Sequence, residues 1–500
     1  MNLSDVIAHH AERFPERLAL SYGDEEISYG RLLERIRRMA GVLREAGVHR
    51  GDVVAVLLHN APRFVDVMCG CAHLGAIFMP LNWRLAGPEL QYIVEHAGAK
   101  AMITEPELQP LTVGLEDLLR VPIDELWADA TPITQAASVA GEDVMRLMYT
   151  SGTTSRPKGV MISYDNLYWK CAAHVVELEM TAADRGLACG PLYHVGALDI
   201  TTTNMLYVGG SIHVLRKFDA AAALDAIEQR RLTNVWLAPA MVNLILAEPT
   251  LAERDCASMR LIADGGEKMP LPLIEKVLKA FPNAWFADAY GLTETVSGDT
   301  YLDKGRSVDK LGSVGKPVLH TDVSIQDLDD APLPAGEVGE ICLRGPKVFK
   351  GYWRDADATA TAIRGGWFHT GDLGYLDDDG FLFIVDRLKD MIVSGGENIA
   401  SLEVERVVYE HPAVLEAAVV ASPHERWNEV PVAYVVVRSG ETVTDDELAE
   451  FCAARLAKFK TPKGFRFLDA LPRNPSGKVL KRVLREQEAA SEPAAGGRGR

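Results

Sequence analysis

Apolar positions in the first third of the chain alternate between two periods. Leu32, Leu33, Ile36, Met39 and Leu43 recur at helical spacing, and Gly47 and Gly51 punctuate the residues after them. Residues 53–58 then form a continuous apolar run of strand length, 62–77 and 92–98 return to the helical period, and 101–104 reads as a short strand. This alternation predicts a parallel sheet covered by helices. It repeats in 204–247, where 211–215, 219–231 and 234–237 read as strand, helix and strand, and again in 256–290. Between about 311 and 386 the pattern changes to short strands separated by Gly, Pro and Asp turns, a β-rich subdomain. A fresh unit starts after 386–390, with a helix at 401–411, strands at 414–421 and 431–438, a helix at 444–457 and a closing strand near 465–468. The stretch 486–500 is poor in apolar residues and reads as a disordered tail. The expected class is α/β: a large N-terminal domain of helix-covered sheets with a β-rich subdomain over 1–386, then a small α/β domain over 390–485.

Composition narrows the function classes. The chain has 500 residues, 48% hydrophobic and 24% charged, which excludes disordered and fibrous classes. No apolar run approaches the roughly 18–20 residues of a membrane span, and the first residues lack a secretory pattern, so no integral membrane association is expected. The net charge of −18 argues against a nucleic-acid partner. Its distribution supports two domains: from Arg387 onward 17 Lys/Arg balance 17 Asp/Glu, so the whole acidic excess lies in 1–386. Seven scattered cysteines make no disulfide framework and suggest a reducing, cytoplasmic home. Cys69 and Cys71 sit in an apolar run without a second pair or a His at metal spacing, and read as buried thiols.

The densest chemical signal is Tyr149-Thr-Ser-Gly-Thr-Thr-Ser-Arg-Pro-Lys-Gly159, directly after the apolar stretch VMRLMY. Hydroxyls and glycine amides after a strand, with Lys158 adding positive charge, suit a polyphosphate. The spacing is not that of a Walker A loop. The run resembles the phosphate loop of the adenylate-forming enzymes, the superfamily of acyl-CoA synthetases, luciferases and peptide-synthetase adenylation domains. Ser155 stands where that family commonly has Gly. Further motifs fall in the family's order. Gly265-Gly266-Glu267-Lys268 resembles the strand end beside adenine. Asp288-Ala289-Tyr290-Gly291-Leu292-Thr293-Glu294 resembles the adenine and magnesium segment. Thr370-Gly371-Asp372 resembles the ribose site, Asp386–Asp390 the hinge, Gly395-Gly396-Glu397-Asn398 the coenzyme A channel, and PRNPSGK, ending at Lys478, the loop of the adenylating lysine. Each alone has a bland reading as a turn, a charge cluster or a loop. Seven in order, over about residues 10–485, do not.

The resemblance implies a two-step ligase using ATP, Mg²⁺ and coenzyme A. A carboxylate attacks the α-phosphorus, pyrophosphate leaves, and a thiol then displaces AMP from the acyl-adenylate. Thr150, Ser151, Gly152, Thr153, Thr154 and Lys158 would hold the β- and γ-phosphates; Thr293 would contact phosphate and Glu294 the metal. Gly265, Gly266, Glu267, Asp288, Ala289, Tyr290 and Gly291 would surround adenine, Asp372 and Arg387 would take the ribose and nucleotide, and Gly395, Gly396 and Glu397 would line the thiol channel. Lys478 would stabilise charge between the attacking carboxylate and the α-phosphate. Residues 387–389 would form the hinge, pivoting at Lys389, and 390–485 would be mobile.

His194, in Pro191-Leu-Tyr-His194, matches the position where this family lines the acyl pocket. Asp199 with Thr201, Thr202 and Thr203, and also Asp299, are either polar pocket lining or a cap or surface group. If either aspartate faces the pocket, the acid carries a hydroxyl or amino group, since a buried unpaired carboxylate is costly. Arg455, Lys458, Lys460, Lys463 and Arg466 form either a solvated face or a docking surface for coenzyme A phosphates or an acidic carrier protein. The expected partners are a small carboxylic acid and coenzyme A. Transfer to a carrier-protein thiol or an amine, or a nitrite-activating diazotase-type variant, is the alternative within the same chemistry. A nucleotide sensor is disfavoured by the intact Lys158, Glu294, Asp372, Arg387 and Lys478. A homodimer is one assembly the resemblance allows.

Overall fold

The computed structural model describes residues 2–116, 118–121, 130–150, 156–265, 269, 271–473 and 479–491. The chain divides into two compact units, one of residues 1–323 and 343–368, the other of 324–342 and 369–500.

Two sheets organise the first unit. One has nine strands in the order Lys316–Pro317, Thr300–Tyr301, Trp285–Tyr290, Leu261–Gly265, Asn234–Leu237, Arg185–Ala188, Ser211–Val214, Leu18–Tyr22 and Glu25–Ser28. Its centre, from Trp285–Tyr290 through Ser211–Val214 to Leu18–Tyr22, is parallel throughout. The other has six strands in the order Leu119–Arg120, Ala101–Thr104, Val53–Leu57, Ile77–Pro80, Val144–Thr150 and Lys158–Ser163. Both are covered as parallel sheets must be, because βαβ crossovers place helices on their faces. Helix Ala220–Arg230 is capped by Asp219, whose side chain accepts from Ala222 N, and buries Leu224 and Ile227 against Val235 and Leu237. Helix Pro62–Leu74 carries Cys69 and Cys71 fully buried, and all seven cysteines are unpaired thiols, as the sequence suggested.

The second unit holds most of the small sheet built from Asp322–Gln326, Gly339–Arg344, Trp367–Leu376 and Leu382–Arg387. It then holds a sheet in the order Glu397–Ile399, Ile392–Ser394, Asn428–Val437 and Val414–His424, with Phe465–Phe467 alongside Asn428–Val437. Helices Ser401–Tyr409 and Asp445–Ala453 pack on one face through Val404, Val407, Val408, Leu448 and Cys452. Helix Lys481–Ser491 is tied to the opposite face through Leu484. That helix corrects one expectation: the tail does not begin at 486. Glu488 is buried, accepts from Tyr434 Oη (2.8 Å) and Ser422 Oγ (3.0 Å), and pairs with Arg466 (3.2 Å), so polar anchors extend the helix to Ser491. Low apolar content hid them.

Candidate active site

Strand order brings the chemistry of the first unit to one edge. Arg185–Ala188, Asn234–Leu237, Leu261–Gly265 and Trp285–Tyr290 are consecutive parallel neighbours, so their carboxyl ends lie side by side. Open α/β sheets bind ligands at that edge. His194 lies beyond the first of these strands, Trp236 lies in the second, Gly265 ends the third, and Asp288, Ala289 and Tyr290 end the fourth. Gly265 pairs in register with Ala289, and a Cβ at Gly265 would stand 2.9 Å from the Ala289 carbonyl oxygen, so only glycine fits there. Asp288 and Tyr290 are buried.

After Tyr290 the chain makes a nine-residue loop and returns as Thr300–Tyr301, pairing Ala289 with Tyr301 and Tyr290 with Thr300. The loop folds on itself: Ser297 N donates to Leu292 O (2.8 Å), Val296 N to Thr293 O (3.1 Å) and Asp299 N to Tyr290 O (2.7 Å). Thr293–Thr295 is a single tight helical turn that presents Thr293 and Glu294, and the next three residues, Val296, Ser297 and Gly298, all have positive φ (58°, 68° and 58°). Left-handed backbone costs an L-residue about 1–2 kcal/mol, most for a β-branched one such as Val296. Gly298 is required twice over, since a Cβ there would also meet the Tyr301 hydroxyl at 2.2 Å.

Lys158, at the far end of the phosphate loop, is linked to this turn through Tyr352. Val144–Thr150 pairs antiparallel with Lys158–Ser163, with Thr150 opposite Lys158. Ser151, Gly152, Thr153 and Thr154 lie outside the described residues, as do Gly266, Glu267 and Lys478. Lys158 Nζ sits 4.9 Å from the centre of the Tyr352 ring, and the Tyr352 hydroxyl donates to Glu294 Oε1 at 2.9 Å. Phe349 N donates to the Glu294 carbonyl oxygen at 2.7 Å. Burial, reinforced by the Glu294 charge, raises the Tyr352 phenol well above its ordinary value, so it stays a donor. Lys158 and Glu294 thus meet at Tyr352, a residue that no sequence motif marks, with Thr293 next to Glu294 in the same turn. A cation, a hydroxyl and a hard carboxylate oxygen form a donor set that fits phosphate oxygens bound to Mg²⁺.

His194 opens a helical segment with widened turns, Gly196–Thr203. Its ring stacks on Trp236, with centroids 5.9 Å apart and planes at 26°, and its Nδ1 accepts from Gly196 N at 3.2 Å. Trp236 packs with Ala197, Ile200 and Ala263, and Gly196 leaves it room: a Cβ there would lie 2.5 Å from the indole.

Both aspartates left open by the sequence have ionic partners. Arg146 donates from Nη1 and Nη2 to Asp199 Oδ1 (3.1 Å) and Oδ2 (2.6 Å), with both side chains fully buried. Lys170, equally buried, donates to Asp199 O, Thr203 Oγ1 and Asn204 Oδ1. Asp299 lies 2.6 Å from Lys347 Nζ. Neither is a cap or a surface group, and the case they made for a hydroxyl- or amino-bearing acid lapses. The charged residue inside the apolar strand VMRLMYT was the one local hint of the Arg146 pair.

The second unit assembles its own group. Asp372 and Arg387 are cross-strand partners, with Arg387 Nε 3.4 Å from Asp372 Oδ1. Thr370 Oγ1 donates to Ile341 O (2.7 Å), Gly371 N donates to Glu340 Oε1 (2.9 Å), and Gly371 takes φ +73°, which fixes the bend ahead of Asp372. Leu388–Asp390 is a short helical turn whose Lys389 is exposed, while Asp390 pairs with Arg485. Gly395 and Gly396 form the left-handed turn between Ile392–Ser394 and Glu397–Ile399, and Gly395 lies against the Trp427 ring. Of the basic cluster, Lys460 is held by Glu403 (2.8 Å), Arg466 by Glu488, and Arg455 stacks on Phe451 (3.6 Å), which favours a solvated face over docking. Among the described residues no helix is long and apolar enough to cross a membrane.

Comparison with known proteins agrees with this arrangement. Residues 7–353 match the family model "AMP-binding enzyme" and 403–478 match "AMP-binding enzyme C-terminal domain". The chain is 41% identical to a feruloyl-CoA synthase of an Amycolatopsis species over 480 residues, covering 95% of this chain and 97% of that protein. It is 36% identical to the indoleacetate–CoA ligase of Aromatoleum aromaticum, covering 97% and 98%. Among solved structures, the o-succinylbenzoate CoA synthetase of Bacillus subtilis in complex with its acyl-adenylate intermediate matches with TM-score 0.89 at 34% identity, over 96% of this chain and 97% of that one. With a family model spanning most of its length and relatives covered almost end to end, the chain belongs to the AMP-binding, adenylate-forming enzyme superfamily of acyl-CoA synthetases.

Proposed function

We propose that the acid activated by this enzyme is aromatic. The chemistry is that of an AMP-forming acid–thiol ligase: a carboxylate displaces pyrophosphate from ATP, and coenzyme A then displaces AMP from the acyl-adenylate. The observation that carries the substrate class is the wall formed by His194 stacked on Trp236, with Ala197, Ile200 and Ala263 around it. It lies toward the carboxyl edge of the sheet, where Trp236 pairs in register with Ala263, two residues before Gly265. A planar ring gains offset-stacked contact there that a flexible chain does not. The ion pairs of Asp199 and Asp299 leave those carboxylates occupied, so the ring needs no cationic substituent. Relatives named for feruloyl, indoleacetate and 2-succinylbenzoate substrates support the same class.

Glu294 would hold Mg²⁺, which supplies charge neutralisation at the phosphates. Lys158 and Thr293 would orient those phosphates, and Tyr352 keeps the Glu294 carboxylate in place through its donated bond. Asp372 and Arg387 would take the ribose, and Lys478 would serve adenylation alone, with residues 387–389 as the hinge between 1–386 and 390–485. Seven free thiols fit a cytoplasmic enzyme. The test is a pyrophosphate-release screen across aromatic, fatty and short acids, with and without coenzyme A, with the thioester then identified by mass. Aryl or arylpropenoyl thioesters are expected; a screen in which only aliphatic acids respond would overturn the substrate class.

A further inference from the structure

Lys347 lies outside every sequence motif, and it is 1% exposed in the middle of the first unit. Its ammonium donates to three backbone carbonyls, those of Thr295 (3.2 Å), Ser297 (2.9 Å) and Gly298 (2.8 Å), and lies 2.6 Å from Asp299 Oδ1. Three N–H bonds face four acceptors, so no donor is left over for a substrate, and Lys347 does not act on the reacting atoms. The other Asp299 oxygen accepts from Thr295 Oγ1.

The segment so gripped is the left-handed run Val296–Ser297–Gly298, close behind Glu294 in the chain. That run, with Thr295 ahead of it, brings the carbonyl oxygens of Thr295, Ser297 and Gly298 to one buried point, where they need a donor. His174 completes the enclosure. Its Nε2 lies 2.9 Å from Gly298 O, and Asn204 Nδ2 lies 3.3 Å from its Nδ1, so the neutral ring donates from Nε2 and accepts at Nδ1. From the same short segment as Lys347, Phe349 N and Tyr352 Oη hold the backbone and carboxylate of Glu294. Residues 347–352 therefore grip the loop from beneath and from the side.

We propose that Lys347 is a positioning residue for adenylation: its buried ammonium fixes the left-handed turn 296–298 and so sets the direction in which Thr293 and Glu294 are presented to the metal and phosphates. The proposal rests on Glu294 being the metal ligand. The competing reading is a core ion pair with a purely structural role, and the two differ in what apolar replacement restores. Exchanging a buried pair for apolar residues of similar volume is often close to neutral for stability. It does not return a donor to the three carbonyls.

The experiment compares the wild type with Lys347→Met, Lys347→Met/Asp299→Leu, Asp299→Asn and Glu294→Gln. It reads thermal midpoint and the Mg²⁺ dependence of ATP–pyrophosphate exchange at saturating ATP and acid. Lys347→Met should lose stability and need more Mg²⁺ for half-maximal exchange, by about tenfold or more, as expected when a partner that orients a metal ligand is lost. The double variant should regain part of the thermal midpoint, since the carbonyls that Lys347 held still lack its donor, and keep the raised Mg²⁺ requirement. Asp299→Asn, which keeps the carbonyl bonds, should lose stability with little change in Mg²⁺ requirement, and it serves if the double variant does not fold. A double variant with wild-type Mg²⁺ dependence overturns the proposal, as does Asp299→Asn shifting the requirement as far as Lys347→Met. Glu294→Gln separates the two layers: if it alone leaves Mg²⁺ dependence unchanged, the metal-ligand assignment fails and the proposal falls with it.

Discussion

Asp199→Asn distinguishes a structural carboxylate from a substrate-facing one. In the folded protein Asp199 answers two buried cations, the bidentate Arg146 guanidinium and Lys170, whose Nζ lies 4.0 Å from Oδ1. Neutralising it strands both charges in a fully buried site. Removing one partner of a buried pair costs about 3–5 kcal/mol. At roughly 2–4 °C per kcal/mol for a large domain, the first unit should melt some 6–20 °C lower. The assay pairs a melt monitored by tryptophan fluorescence with the KM for an aromatic acid. The expected result is the lowered midpoint with KM essentially unchanged. Arg146→Met/Asp199→Leu should recover only part of the loss, because Lys170 keeps its three neutral acceptors but loses its nearby anion. A raised KM with an unchanged midpoint would overturn the structural role and return Asp199 to the acid pocket.

Lys478→Ala should abolish adenylate formation while leaving thioester formation from a preformed acyl-adenylate largely intact; equal loss in both half-reactions would remove the division of labour. Lys389→Pro, which fixes φ near −65° at the proposed pivot, should retain ATP–pyrophosphate exchange and lose most transfer to coenzyme A, and full activity in both steps would refute a pivot there. Burial lowers His213 to about 4 from an ordinary 6.5, with its Nδ1 2.9 Å from Ser21 Oγ. The unfolded chain therefore binds a proton that the folded one refuses, so stability is full above 6.5 and falls as pH drops toward 4. His213→Asn should flatten that acid slope in midpoint-versus-pH melts; an unchanged slope would assign it to other groups.

Periodicity made most elements legible because their burial is one-sided or complete. The run at 53–58 became Val53–Leu57, and 234–237 and 101–104 appear unchanged as strands. The positions of His194, Gly265, Tyr290 and Glu294 along one sheet edge also derive from motifs that end strands. Long-range polar pairing stayed hidden. Arg146 finds Asp199 across 53 positions, and Lys347 finds the carbonyls of 295–298 across about fifty, with no local pattern to connect them. Tyr352 likewise meets Glu294 only through tertiary packing. The tail failed for the opposite reason: residues 486–491 lack apolar spacing, and the buried Glu488 bonds that hold them are polar.

Whether the enzyme is an AMP-forming ligase for an aromatic acid is decided by competition in one vessel. Purified enzyme, ATP, Mg²⁺ and coenzyme A are given equal concentrations of an arylpropenoic acid and a saturated straight-chain acid of the same carbon count, and both thioesters are quantified by mass early in the reaction. Their ratio is the ratio of kcat/KM values. The aromatic thioester should dominate by at least about tenfold, with AMP and pyrophosphate formed in step, and Trp236→Ala should erode the preference. Equal thioesters, or an excess of the straight-chain product, would overturn the aromatic assignment.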